Sequence, residues 1–146
     1  MSVDLTALLT SVTEVARTAF GATTSSLVVL VGDELVFRGV SGVGADVLIG
    51  TRMPREEGIL GRAAATRQTL VVTGAVREPG YSHGTAARAG YSPDVILAAP
   101  IVHEGEVLGT LAVLDPTRTA TDHQRGVDLL ERLADHAALV LAAFDG

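Results

Sequence analysis

The chain has 146 residues, 47% of them hydrophobic, a formal net charge of -6 and no cysteine. That length suits one compact domain with a single core. The acidic balance, with all 11 basic residues arginine and set singly along the chain, argues against a nucleic-acid partner, which needs clustered positive charge. Without cysteine there is no disulfide, no thiolate metal centre and no thiol nucleophile, and without lysine there is no lysine chemistry. No apolar run reaches the roughly twenty residues of a membrane span, and the opening MSVDLTALLT lacks the parts of a secretory signal, so a cytoplasmic location is expected.

In chain order, the apolar residues from Leu5 to Phe20 recur every three or four positions and Gly21 is a natural stop, which predicts an amphipathic first helix. SSLVVLVGDELVFRGVSG reads as two β-branched runs turning at Gly32-Asp33, an antiparallel hairpin. Residues 43–57 show no clear period. Pro54 and the acidic pair Glu56-Glu57 then precede Gly58-Ile59-Leu60-Gly61-Arg62-Ala63-Ala64-Ala65, a short helix. Thr69 to Thr73 is a short strand, and the Gly-, Pro-, Ser- and Tyr-rich stretch from Gly74 to Pro93 is expected as a long irregular loop.

DVILAAPIVHEGEVLGTLAVLD holds two more strands turning at Glu104-Gly105, with Pro100 pointing to an edge position or a bulge. The spacing of Thr121 and Gln124 matches a capping box, opening a final amphipathic helix that runs to Phe144. These elements make an α+β domain, residues 1–146 without a boundary or repeat, on one sheet of about five or six antiparallel strands.

Several chemistries can be weighed on single motifs. Gly80-Tyr81-Ser82-His83-Gly84 fits the Gly-x-Ser-x-Gly pattern of a nucleophilic serine, but that chemistry needs a strand into Ser82, a helix out of it and a large parallel sheet. The flanking residues read as loop on both sides. His83, His103, His123 and His136 show no metal-ligand spacing. Gly58-Ile59-Leu60-Gly61 offers backbone N–H groups to an anion, yet lacks the lysine of a nucleotide loop; Gly61 reads instead as a point where the helix packs closely on the sheet. The segment from Tyr81 to Tyr91 carries both tyrosines, His83 and Arg88, and is either a lid over a small ligand or a surface loop packed on the sheet.

Three stretches taken together, MPREEGILGRAAATRQTLVVTGAVRE, VILAAPIVHEGEVLGTLAVLD and TDHQRGVDLLERLADHAALVLAAF, resemble the GAF domain family, sensory modules related to PAS domains. The resemblance implies a central antiparallel sheet with the terminal helices on one face, joining two copies as a homodimer. It implies a pocket on the other face, between the short helix and the long loop. The function implied is non-enzymatic signalling through a small organic effector, with a ligandless dimerisation or docking module as the alternative. Candidate ligand residues are Phe37, Ile59, Arg62, Tyr81, His83, Arg88, Tyr91 and Leu97, with Arg62 or Arg88 available to an anionic group. No particular cofactor follows. The cyclic-nucleotide signature of the family needs a lysine, while bilin attachment and methionine sulfoxide reduction need cysteines. A haem-ligating histidine is expected near Gly90 and Tyr91, where none stands.

Overall fold

The structure, a computed structural model, describes residues 4–117 and 123–145. Helix α1 spans Leu5–Phe20, begun by Asp4, whose carboxylate accepts the Thr6 N–H at 3.0 Å, and ended by Gly21 in the left-handed region. Strands β1 (Thr24–Val31) and β2 (Glu34–Gly42) form the expected hairpin, and the short α2 (Ala45–Leu48) and β3 (Arg52–Pro54) follow. Then come α3 (Gly58–Thr66), β4 (Leu70–Thr73), a 3-10 turn over Ala75–Arg77 and α4 (His83–Ala89). Strands β5 (Val95–His103) and β6 (Glu106–Leu114) precede α5 (His123–Asp145). The Thr121 capping box lies outside the described residues.

The six strands make one antiparallel sheet in the order β3-β2-β1-β6-β5-β4. Glu104 and Gly105 both take positive φ, which a tight two-residue turn between β5 and β6 requires. Pro100 behaves as an edge residue inside an interior strand. The pairing of β4 with β5 stops at Leu70 opposite Ala98, so at Pro100 the strand has only β6 beside it and the missing N–H leaves no ladder bond broken.

Both faces of the sheet are covered. On one, Leu9, Ala16 and Phe20 of α1 and Leu130, Ala134, Ala137 and Leu141 of α5 pack on Leu27, Leu97, Ile101, Leu111 and Val113. On the other, Ile59 and Ala63 of α3 meet Ile96, Ala98 and Ala112, and beside them Phe37, Val40, Leu48 and Met53 form a second cluster. Gly109 allows β6 to approach β1, since a Cβ there would stand 2.0 Å from the Val28 carbonyl oxygen.

Two findings depart from the sequence reading. Residues 74–93 are not irregular throughout: α4 follows Ser82 directly and ends at Gly90, which takes the left-handed conformation. Seven residues show no helical period, and α4 holds because Ala86 and Ala89 pack inward over α2, close to Gly44, whose absent Cβ would meet the Ala89 methyl at 3.0 Å. The close approach at Gly61 is not to the sheet. A Cβ there would sit 2.6 Å from the Glu56 carbonyl carbon, so the glycine lets α3 fold back on the segment that leads into it.

Candidate ligand site

A cavity of about 80 Å³ lies between the second face of the sheet, α3 and α4. Its floor is Thr24 and Ser26 of β1, Phe37 of β2, Ile96 of β5 and Leu114 of β6. A bulge sets which β2 side chains face it. Leu27 pairs with Gly39 but Val28 pairs with Phe37, leaving Arg38 as the extra residue. The alternation therefore flips once, and Phe37 and Val40 face the same side.

The walls are Leu48 and Met53 on one side and the opening turn of α3, Gly58-Ile59-Leu60, on the other. The roof is α4 with its flanks: Tyr81, Ser82, Thr85, Ala86, Ala89, Tyr91 and Pro93. The lining is mostly apolar, and among the described residues its polar groups are hydroxyls and backbone and none of its residues carries a charge.

Each end of the roof is tied to the body through a carboxylate set behind the lining. The Ser82 hydroxyl donates to Glu57 Oε2 at 2.7 Å and stands 2.8 Å from Thr85 Oγ1. At the other end the Tyr91 hydroxyl donates to Asp115 Oδ2, while Asp115 Oδ1 accepts the N–H groups of Asp94 at 3.0 Å and Val95 at 2.9 Å. Burial first, then the hydrogen bond to Asp115, push the Tyr91 hydroxyl well above the usual tyrosine range. Tyr81 is held less firmly, with its hydroxyl 3.1 Å from Ser92 Oγ and its ring edge-on to His83 at 4.8 Å.

Of the residues singled out from the sequence, Phe37, Ile59, Tyr81 and Tyr91 are brought together around the cavity. The other four stand elsewhere. Leu97 belongs to the opposite core beneath the terminal helices, and its neighbour Ile96 lines the cavity instead. Both residues are buried and apolar, so composition gave no means of choosing the register. Arg62 points to the rim, bonding Glu78 Oε1 at 2.9 Å and the Pro79 carbonyl oxygen. His83 and Arg88 are exposed on α4. Ser26, Met53 and Ala86 were missed: small or flexible residues in unremarkable contexts carry no sequence signal for a cavity.

Ser82 has a helix after it but no strand before it, since Gly80 and Tyr81 are not in a strand, and its hydroxyl is bonded to a carboxylate and a threonine rather than to an imidazole. The pattern lacks the geometry of an activated nucleophile. Among the described residues no cluster of His, Asp and Glu is placed to hold a metal ion, and no helix is long and apolar enough to cross a membrane.

The model of the GAF domain matches residues 2–142 of the chain. The chain belongs to the GAF domain family. Solved structures repeat the architecture of this GAF domain. The GAF domain of a phosphoenolpyruvate-protein phosphotransferase from Coxiella burnetii superposes with a TM-score of 0.83 at 23% identity, over 97% of this chain and 84% of that one. Free methionine-R-sulfoxide reductase from Neisseria meningitidis, solved with its substrate, gives 0.75 at 24%, over 96% and 79%. The second GAF domain of DevS from Mycobacterium smegmatis gives 0.71 at 19%, over 96% of both chains. At these identities the likeness establishes the fold. A comparison with curated protein sequences gives no match.

Proposed function

We propose that this GAF domain is a non-enzymatic sensory module that holds a small organic effector in the cavity beneath α4 and passes its presence to the terminal helices. The observation that carries the reading is the roof. A short helix over a mostly apolar cavity is fastened at both ends by polar contacts, Ser82 to Glu57 and Tyr91 to Asp115, with little more than the two alanines Ala86 and Ala89 turned inward between them. Such a segment belongs to the low-stability end of a fold, where ligand-gated motion is drawn from. Asp115 directly follows β6 and begins the segment that leads to α5, so a roof that shifts with occupancy acts toward the last helix. A homodimer through α1 and α5 gives that shift an output. Val15 of α1 is 55% exposed and Leu139 of α5 is 62% exposed, on helices whose inner faces are already filled.

Without cysteine this chain has no thiol with which to reduce a sulfoxide, which supports the non-enzymatic reading over the activity named for its reductase neighbour. The size of the cavity supports a second one. At about 80 Å³ it is well below the roughly 300–1,000 Å³ of sites that take drug-sized ligands, which favours a ligandless dimerisation module if the roof never opens.

A thermal-shift screen with small metabolites separates the two. An effector domain is stabilised by its ligand, and Ala86→Leu, which fills the cavity from α4, abolishes the response. A protein that responds to nothing, with a variant that is only more stable, is the ligandless module.

A further inference from the structure

We infer that the cavity takes a compact, uncharged, mainly aliphatic molecule with one hydrogen-bond-accepting head, a carbonyl oxygen, seated against the Ser26 hydroxyl and the opening turn of α3. This rests on the reading of the cavity as an effector site and narrows its chemistry.

The first argument is charge. Among the described residues no ionisable acid or base except the two tyrosines lines the cavity, and the arginines that sequence offered to an anion are committed or remote. Arg62 is bonded to Glu78 and Pro79, and Arg88 is exposed on the outside of α4. An ionised ligand would lose its water and gain no countercharge. An anion would meet the free N–H groups at the positive end of α3, but also the full negative charges of Glu57 and Asp115, which stand behind the lining hydroxyls of Ser82 and Tyr91. A cation would be kept from those carboxylates by the same hydroxyls, and would face the positive end of α3. Both signs are disfavoured.

The second argument is the unused hydrogen-bonding capacity. Ser26 is 3% exposed, yet among the described residues its hydroxyl has no partner, and its oxygen is not among the fully enclosed ones, which leaves it open to the cavity it lines. Among the described residues the backbone N–H groups of Gly58, Ile59 and Leu60 have no acceptor either, and Glu57 gives α3 no side-chain cap. N–H groups only donate, and a serine hydroxyl can donate with them. A ligand oxygen that accepts is therefore the missing complement, whereas an ammonium or amine head is not.

The third argument is size. A volume of about 80 Å³ holds roughly five to eight water-sized groups. Once one or two of these are the polar head, the remainder faces Phe37, Leu48, Met53, Ile59 and Ile96, which suits a short branched aliphatic chain.

The test is a set of small aliphatic probes differing in head group: methyl isobutyl ketone, isovaleramide, isovalerate and isoamylammonium. Each is titrated by NMR into the full chain, into Ser26→Ala and into Ala86→Leu. The ketone and amide are expected to bind, the carboxylate and ammonium at least about tenfold more weakly. Ser26→Ala is expected to weaken the ketone by about tenfold without lowering the melting temperature, because alanine leaves no unpaired hydroxyl in the floor. Ala86→Leu abolishes binding of every probe. Carboxylate or ammonium binding as tight as the ketone, or an unchanged affinity in Ser26→Ala, overturns the inference. If a charged probe binds and Ala86→Leu removes it, the effector site stands and only its chemistry is wrong. If no probe binds and Ala86→Leu merely stabilises the fold, both readings fall.

Discussion

The Tyr91 hydroxyl donates to the Asp115 carboxylate, joining the stretch just past the roof helix to the residue just past the last strand. Asp115 itself takes a positive φ of 52, a conformation uncommon for residues other than glycine. In that position its other oxygen gathers the Asp94 and Val95 N–H groups, so one carboxylate anchors the whole return from α4 into β5.

Tyr91→Phe removes one of these bonds and keeps the ring. The loss of stability should be modest, about 1 kcal/mol, because Asp115 retains its two backbone donors. Hydrogen exchange is the sharper measurement: amides of residues 83–93 should exchange faster while those of β1 and β6 are unchanged. Uniform acceleration across the sheet would mean that Tyr91 supports the fold as a whole and not the roof.

The raised Tyr91 ionisation gives stability a definite alkaline dependence. The folded state keeps its proton at a pH where the unfolded chain, with an ordinary tyrosine near about 10, releases it. The stabilising contribution is thus complete below about pH 10 and is lost above it, with a slope of at most about 1.4 kcal/mol per pH unit. Tyr91 is only partly buried, so screening by solvent makes the observed slope smaller. Melting temperatures recorded from neutral to alkaline pH should fall more steeply for the natural protein than for Tyr91→Phe.

Ser82→Ala bears on the nucleophile pattern. The variant should lose roughly 0.5–1.5 kcal/mol of stability with the bond to Glu57, and any esterase background should be the same in both proteins. A hydrolysis rate that disappears in the variant would restore Ser82 as a catalytic residue.

Gly61→Ala discriminates a packing glycine from a permissive one. At an exposed helical site the change gains about 1 kcal/mol. Here the new Cβ would be 2.6 Å from Glu56 backbone, and a loss of roughly 1–3 kcal/mol is expected instead, measured by denaturant unfolding.

Leu139→Glu places a charge on the exposed side of α5. Light scattering after gel filtration should show the natural protein as a dimer and the variant as a folded monomer, with a melting temperature lower only by what association contributes. Equal masses would place any self-association elsewhere.

How much of this could be read from residues depended on whether local pattern decided the outcome. The first helix came out with its ends, because Leu5 to Phe20 carries a clean period and Gly21 a clean stop. Both hairpins were legible in Gly32-Asp33 and Glu104-Gly105, since short turns speak through residue type. Helix α4 was not. Its seven residues depend on packing over α2, a contact between segments about forty positions apart that no window along the chain contains.

The cavity was legible in part for the same reason. Tyr81 and Tyr91 drew notice as the two tyrosines of the chain, and both line it. Ile96 and Leu97 could not be told apart in DVILAAP, because the sheet is covered on both faces and apolar residues occupy both parities. The β2 bulge at Arg38 adds a further flip that alternation cannot show. Arg62 and Arg88 are attractive beside a presumed ligand only until Glu78 and open solvent are seen to claim them.

Native mass spectrometry of freshly purified protein, set beside Ala86→Leu, tests the central claim most directly. An effector domain should fly as a dimer carrying a small additional mass that is lost from the variant. A clean apo monomer, identical in the two proteins but for the substitution, would contradict both the ligand and the dimer.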